Sequence, residues 1–207
     1  SNLAGALSIP ETIADPNNQY TFKVTAIAAN STVPNATSVT IPSNVTTINA
    51  NSFKGSNITS INIPATVTDI KDGAFSYMEG LKAITVDAGN SKYSATDGVL
   101  YENKTEGKYL SAYPVAKDGT PFGVGGLEFT VPEGVVGVST NGFQKAGKLS
   151  RINLPASLKY LPTNQEGNGF TSATNLKEIK VAATNPNFQD IDGVVVTKDG
   201  KTLVSYP

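Results

Sequence analysis

Ser60-Ile61-Asn62-Ile63-Pro64-Ala65-Thr66-Val67-Thr68-Asp69-Ile70, followed by Gly73-Ala74-Phe75, is the stretch from which the rest of the chain can be read. In Ile61-Asn62-Ile63 the alternation puts two apolar side chains on one face of a strand and the middle residue on the other. Pro64 has no amide hydrogen to give to a ladder, so it marks the strand's C-terminal end. Val67 and Ile70 lie three apart, which suits a second short extended segment or turn on an opposite wall. The segment 72–77 is too short for an independent helix. A single helical or 3₁₀ turn that drops Phe75 into a core is expected there.

The same unit recurs along the chain. "Apolar-x-apolar-Pro" appears at 7–10, 39–42, 61–64, 129–132 and 152–155, and without the proline as Ile84-Thr85-Val86 and Ile179-Lys180-Val181. Pro42 to Pro64 is 64 − 42 = 22 residues, and Pro132 to Pro155 is 155 − 132 = 23. The second segment recurs at 45–48, 67–70, 135–138 and 158–161. Each is followed by an aromatic (Phe53, Phe75, Phe143, Phe170) and then by Ile58, Leu81, Leu149 or Leu176. The first unit is irregular: Ile13 and a polar insertion lead into 24–27, and Ser31 stands near the place of the Phe.

A longer period overlies the short one. The segment 92–101, containing Asp97-Gly98, resembles 187–196, containing Asp192-Gly193, and 192 − 97 = 95 residues separate them. Both copies close alike, as Leu110-Ser111-Ala112-Tyr113-Pro114 and Leu203-Val204-Ser205-Tyr206-Pro207. The expected organisation is one solenoid over 1–207. It has an irregular N-terminal unit (1–38) and two three-unit blocks, at about 39–114 and 127–207. The bridge 115–126, with Pro121 and glycines at 119, 123, 125 and 126, reads as a loop. One unit cannot bury enough apolar surface to offset its backbone entropy. Stacked copies cover both sides of every coil, and their strands, running the same way in each turn, form parallel sheets.

The 207 residues carry a net charge of −1 and only 16% charged side chains, so there is no electrostatic case for nucleic acid or an anionic membrane. There is no Cys and no His, which excludes disulfides and thiolate chemistry and removes the commonest general base and transition-metal ligand. No run reaches 18 apolar residues. The start at Ser1-Asn2 without Met suggests a processed or recombinant terminus, so a targeting or membrane-anchoring segment would already be gone. The chain stops at Pro207, equivalent to Pro114, with no capping sequence after it. A longer protein, or coverage of the last strand by a neighbour in end-to-end self-association, is the expectation.

The repeat, written "xxIxIPxxVxxIgxxAFxxcxxL" at 22–23 residues, resembles the BspA-type leucine-rich repeat of bacterial surface and secreted proteins. The "DGVLY" of 97–101 and the "GKTLVSYP" of 200–207 resemble segments that interrupt such repeats. The resemblance covers nearly the whole chain. It departs in having no Cys before the final Leu of a unit, where many relatives carry one. It implies a right-handed leucine-rich-repeat coil, β-rich, with short single-turn helices, parallel sheets and two hairpin-like insertions. It also implies an extracytoplasmic module, at the cell surface, secreted or periplasmic. Such a module is non-catalytic and binds or adheres to an extracellular or host protein or a glycan. A structural spacer in a larger surface protein is the rival reading, and a carbohydrate-active enzyme the third.

No catalytic, cofactor or metal site is expected. Asp97-Gly98 and Asp192-Gly193 could contact calcium or sugar, but Asp and Gly before β-branched runs read better as turns. No acid pair sits in an aromatic-lined motif, as glycoside hydrolysis would need. The Ser and Thr residues lack a His partner, and no Ser-x-x-Lys stands in a helical context. Asn-x-Ser/Thr sequons at Asn30, Asn35, Asn44, Asn57 and Asn103 read as incidental. Tyr93, Tyr113 and Tyr206 fall at repeated positions and are expected to pack. Tyr101 and Tyr109 flank a polar hairpin (102–108) and are expected to be exposed, as candidate aromatic contacts of the binding face for a sugar or a partner. The best route to a binding face is the outward stripe Thr40, Asn62, Thr85, Thr130, Asn153 and Lys180, stacked at the ladder spacing of about 4.8 Å. Ser38, Ser60, Glu128, Arg151 and Glu178 lie beside it. The plainer reading is that a solvated sheet face must be polar in any case.

Overall fold

A computed structural model describes residues 5–17, 19–162 and 169–207, so the Ser1-Asn2 start lies outside the described residues. Its strands, in chain order, are β1 (Gly5–Ser8), β2 (Thr12–Ala14), β3 (Thr21–Lys23), β4 (Ala26–Ile27), β5 (Ala36–Thr40), β6 (Thr47–Ile48) and β7 (Ser60–Ile63). Then come β8 (Asp69–Ile70), β9 (Ala83–Val86), β10 (Tyr93–Thr96), β11 (Val99–Lys104), β12 (Gly107–Ala112), β13 (Thr120–Phe122) and β14 (Gly126–Thr130). The chain continues through β15 (Val135–Val138), β16 (Arg151–Leu154), β17 (Glu178–Val181), β18 (Phe188–Ile191), β19 (Val194–Thr197) and β20 (Leu203–Ser205).

They build a β-solenoid with parallel ladders. On one wall β1 pairs with β5, β7 with β9, and β14 with β16, which in turn pairs with β17. The register is the one the repeat alignment demands: Ile61 lies opposite Ile84 and Ile63 opposite Val86, while Phe129, Ile152 and Ile179 form one row. β7 and β16 end at the residue before Pro64 and Pro155, as a missing amide donor requires. The second segments form the other wall, with β4, β6 and β8 in parallel. It continues with β12, β15 and a bridge from Gly137 to Tyr160.

The expected single-turn helices are absent among the described residues, and those stretches are chains of turns. Phe53, Phe75, Phe143 and Phe170 are buried as expected. Around them, however, the amides of Asn51, Gly55, Phe143 and Lys145 donate sideways, to the carbonyls of Gly73, Tyr77, Gly169 and Thr171 in the next coil. An amide spent on the neighbouring coil is not free for the i−4 carbonyl. Positive φ at Phe53, Gly73 and Lys145 also breaks any helical run.

Two cores result. One is rich in isoleucine and holds Ile41, Ile48, Ile58, Ile61, Ile63 and Ile84 with Phe53, Phe75 and Met78. The other stacks Tyr113, Phe143 and Phe170 among Leu149, Ile152, Leu154 and Ile179. Strand β11 divides them: Leu100 belongs to the first core, and Val99 and Tyr101 to the second. The two insertions are three-stranded antiparallel meanders, β10–β11–β12 and β18–β19–β20. The 115–126 bridge, expected as a loop, carries strand β13, which forms a hairpin with β14 and lines the edge of its sheet.

Candidate functional site

The outward residues of the first wall come in separate runs. Thr40 shares its register with Ser8, Asn62 with Thr85, and Thr130 with Asn153 and Lys180. The expected continuous stripe is therefore interrupted, and the Asp-Gly pairs are one reason. Asp97 and Gly98, and Asp192 and Gly193, all have positive φ. They form two-residue hairpin loops between Thr96 and Val99 and between Ile191 and Val194. The Gly98 carbonyl accepts the Ile84 amide at 2.8 Å, and the Gly193 carbonyl accepts that of Ile179 at 2.9 Å. Each meander thus folds its turn over the last wall strand of its block and closes that edge. A Cβ at Gly193 would stand 2.8 Å from Glu178 Cβ, so glycine is required there for space as well as for φ. Among the described residues no group of three or more acids could hold a metal ion.

The runs differ in chemistry. In the first block Thr85 Oγ1 donates to Asn62 Oδ1 at 2.9 Å, and Asn62 Nδ2 donates to Asp87 Oδ1 at 2.8 Å. In the second, Asn153 Nδ2 donates to Thr130 Oγ1 at 3.0 Å and to Glu128 at 3.2 Å. Arg151 lies 2.5 Å from Glu178 and 3.6 Å from Glu128, its guanidinium 3.5 Å above the Phe122 ring. Lys180 pairs with Asp190 at 3.0 Å, which raises the Lys180 pKa. Partial burial pushes the Asp190 carboxyl up, but the Val181 amide and the Lys180 ammonium outweigh it and hold it below the usual range.

Tyr101 corrects an expectation. It is 1% exposed because β11 is sandwiched between the two cores and has no solvent face at that position. Burial pushes its hydroxyl up to about 12. Tyr93 and Tyr113 pack as expected, and the Tyr93 hydroxyl accepts the Ile70 amide at 2.8 Å. Tyr206, expected to pack like Tyr113, is 50% exposed. The sequon residues Asn44, Asn57 and Asn103 spend their amides on the carbonyls of Glu11, Pro34 and Ser91, tying segments of the scaffold together.

Tyr109 is partly exposed and sits in a column that the sequence did not disclose. On the second wall Tyr109, Gly137 and Tyr160 lie side by side in register. The two rings stack at 5.8 Å with 18° between their planes. Gly137 makes the room: a Cβ there would run into Tyr109 Cε1. Lys104 reaches over the Tyr109 ring at 4.4 Å. Tyr109 and Tyr160 are 160 − 109 = 51 residues apart, and only the fold joins them.

A family model described as "BspA type Leucine rich repeat region" matches residues 18–103 and 126–193, in six copies. The chain belongs to the BspA-type leucine-rich repeat family. The matched residues leave out most of the 115–126 bridge and the end of each BspA-type block. No curated protein matches the chain by sequence. Among solved structures, a leucine-rich repeat protein from Eubacterium ventriosum is 25% identical, with a TM-score of 0.50. That match covers 72% of this chain and 46% of that one. A leucine-rich cell surface protein from Faecalibacterium prausnitzii is 21% identical with a TM-score of 0.46, covering 99% of this chain and 63% of that one. The chain thus spans less than two thirds of either neighbour's length.

Proposed function

We propose that this BspA-type chain is a non-catalytic, extracytoplasmic bacterial module that binds an extracellular or host protein, or a glycan, through the outward columns of its coil. Family membership supports the bacterial surface setting. The single observation that carries the binding reading is the prearranged polar run Asp87–Asn62–Thr85, whose side chains hold one another in place. Side chains already ordered lose little entropy when they meet a partner. The spacer reading draws on the other run, where Arg151 and Lys180 are neutralised by Glu128, Glu178 and Asp190 within the chain itself. The test is a binding screen of the chain against extracellular matrix proteins and polysaccharides, beside a triple variant Thr40→Ala, Asn62→Ala, Thr85→Ala. Binding weakened about tenfold or more in a variant that still folds supports the proposal. A chain that binds nothing in the panel returns the spacer.

A further inference from the structure

Compare the same outward column of the second wall in the two blocks. In the first it reads Ala26, Thr47, Asp69. In the second it reads Tyr109, Gly137, Tyr160. Two large rings and the glycine that admits them stand where the first block has an alanine, a threonine and an aspartate. Both tyrosines stand outside the buried clusters, and Tyr160 is 46% exposed. Neither hydroxyl has a hydrogen-bond partner among the described residues, unlike that of buried Tyr93, which accepts the Ile70 amide. The groove beside the rings is lined by Asp72, Lys104, Ser139 and Thr140, with Pro162 at its end.

We infer that the stacked Tyr109–Tyr160 pair is a subsite for a neutral hexopyranose unit of a glycan, with the sugar's C–H face on the Tyr160 ring and its hydroxyls toward Asp72, Ser139, Thr140 and Lys104. This rests on the binding reading above and names the ligand class. The chemistry follows from what each ring face already touches. Lys104 covers one side of Tyr109 and Tyr160 stacks on the ring from another position, so the aromatic surface left for a ligand is that of Tyr160. Rings packed against each other at 5.8 Å leave no slot between them for a prolyl ring, which disfavours a Pro-rich peptide. A nucleobase would also stack, but its phosphates would find Lys104 already paired with Glu102 at 3.5 Å, with Asp72 across the groove. A ligand with one apolar face and a rim of uncharged donors and acceptors satisfies a single open ring and one charge of each sign.

The test titrates maltohexaose, cellohexaose and laminarihexaose into the protein with ¹³C-labelled tyrosine rings, and repeats the protein-and-polysaccharide screen with Tyr160→Ala, Tyr160→Phe and Tyr206→Ala. The expected result is a shift of the Tyr160 and Tyr109 ring signals with at least one oligosaccharide. Affinity should fall about tenfold in Tyr160→Ala, stay near wild type in Tyr160→Phe, and be unchanged in Tyr206→Ala. The labelled wild-type protein keeps the test decisive if Tyr160→Ala misfolds. Oligosaccharide binding that leaves both ring signals still, or that survives Tyr160→Ala, overturns the subsite. A screen that finds only a protein as partner overturns the sugar while leaving a binding module in place. A chain that binds nothing overturns both.

Discussion

Asn90 in the first block and Asn185 in the second stand 185 − 90 = 95 residues apart and do the same work. Each is buried. Each amide nitrogen donates to two carbonyls of the coil before it, those of Pro64 and Val67 for Asn90 and those of Pro155 and Leu158 for Asn185. Each side-chain oxygen accepts two amides at the start of its meander. The blocks therefore share their internal joinery, hydrogen bond for hydrogen bond. They part company at the far face of the meander. In the first, Leu110 is fully buried and β12 is paired along its edge with β15. In the second, Leu203, the counterpart of Leu110, is 52% exposed. The parts fixed by stacking are repeated, and the outward columns are where the two copies were free to diverge.

The harshest way to break the likeness is Ile63→Asp. Ile63 is fully buried in the isoleucine-rich core. An aspartate there has no partner and must either ionise in an apolar stack or bind a proton. The expected loss is about 4 kcal/mol or more, seen as a collapse of the first block's thermal transition. A Tm within a degree or two of wild type would show that the register is wrong.

Next come Asn90→Ala and Asn185→Ala, which ask whether a shared device has a shared strength. Each strands buried carbonyls and amides, at about 1–3 kcal/mol per unsatisfied group. The effects should not be equal. Asn187 Nδ2 also donates to the Leu158 carbonyl at 3.0 Å, so that acceptor keeps a partner when Asn185 is lost. Urea unfolding should find Asn90→Ala about 1 kcal/mol the more damaging. The reverse order would mean that Asn187 does not hold the Leu158 carbonyl once Asn185 is gone.

Much of this architecture was legible in the sequence, because stacking imposes an identity on every copy. Ile61 opposite Ile84, and the buried phenylalanine of each unit, follow from aligning 22- and 23-residue repeats. What escaped depends on neighbours that no repeat announces. Tyr101 borders a polar hairpin in sequence, yet its strand lies between two cores. The turns around Phe75 have the length of a helical turn, but sideways bonding between coils claims their amides. Asn90 looks like any loop asparagine until the Pro64 and Val67 carbonyls are set before it. The Tyr109–Gly137–Tyr160 column is joined only by the wall's register.

Alkali should separate the blocks. Tyr93 of the first has its pKa raised to about 12, chiefly by burial, against the bonding of its hydroxyl to the Ile70 amide, which lowers it. Its counterpart in the second block is Phe188. A phenol whose folded pKa exceeds its unfolded value of about 10 stabilises the fold in its neutral form. That stability is complete below the unfolded pKa and is lost as pH rises toward 12. Tyr101 acts in the same direction and window. Hydrogen exchange or circular dichroism between these limits should show the first meander loosening before the second. Tyr93→Phe should shift the onset upward while costing the Ile70 amide its partner. Simultaneous loss of both meanders would mean that the blocks unfold as one unit.

The smallest effect tests the charged run itself. Arg151 sits between Glu128 and Glu178 with about a quarter of each side chain exposed, and Phe122 lies under its guanidinium. A pair this close to solvent contributes about 0.5–1 kcal/mol, most of it screened by salt. The contact with Phe122 is less sensitive to salt, because it also buries apolar surface. A double-mutant cycle between Arg151→Ala and Glu178→Ala should therefore give a coupling that falls toward zero at about 1 M salt. A cycle between Arg151→Ala and Phe122→Ala should keep most of its own. The equivalent first-block positions, Ser60 and Ala83, carry no charge, and Ser60→Ala should show no salt dependence at all. If the Arg151–Glu178 coupling persists at high salt, the pair is an ordered, partly desolvated contact like the neutral Asn62–Thr85 pair. The two runs would then differ in charge but not in rigidity, and the second would be as well prepared to meet a partner as the first.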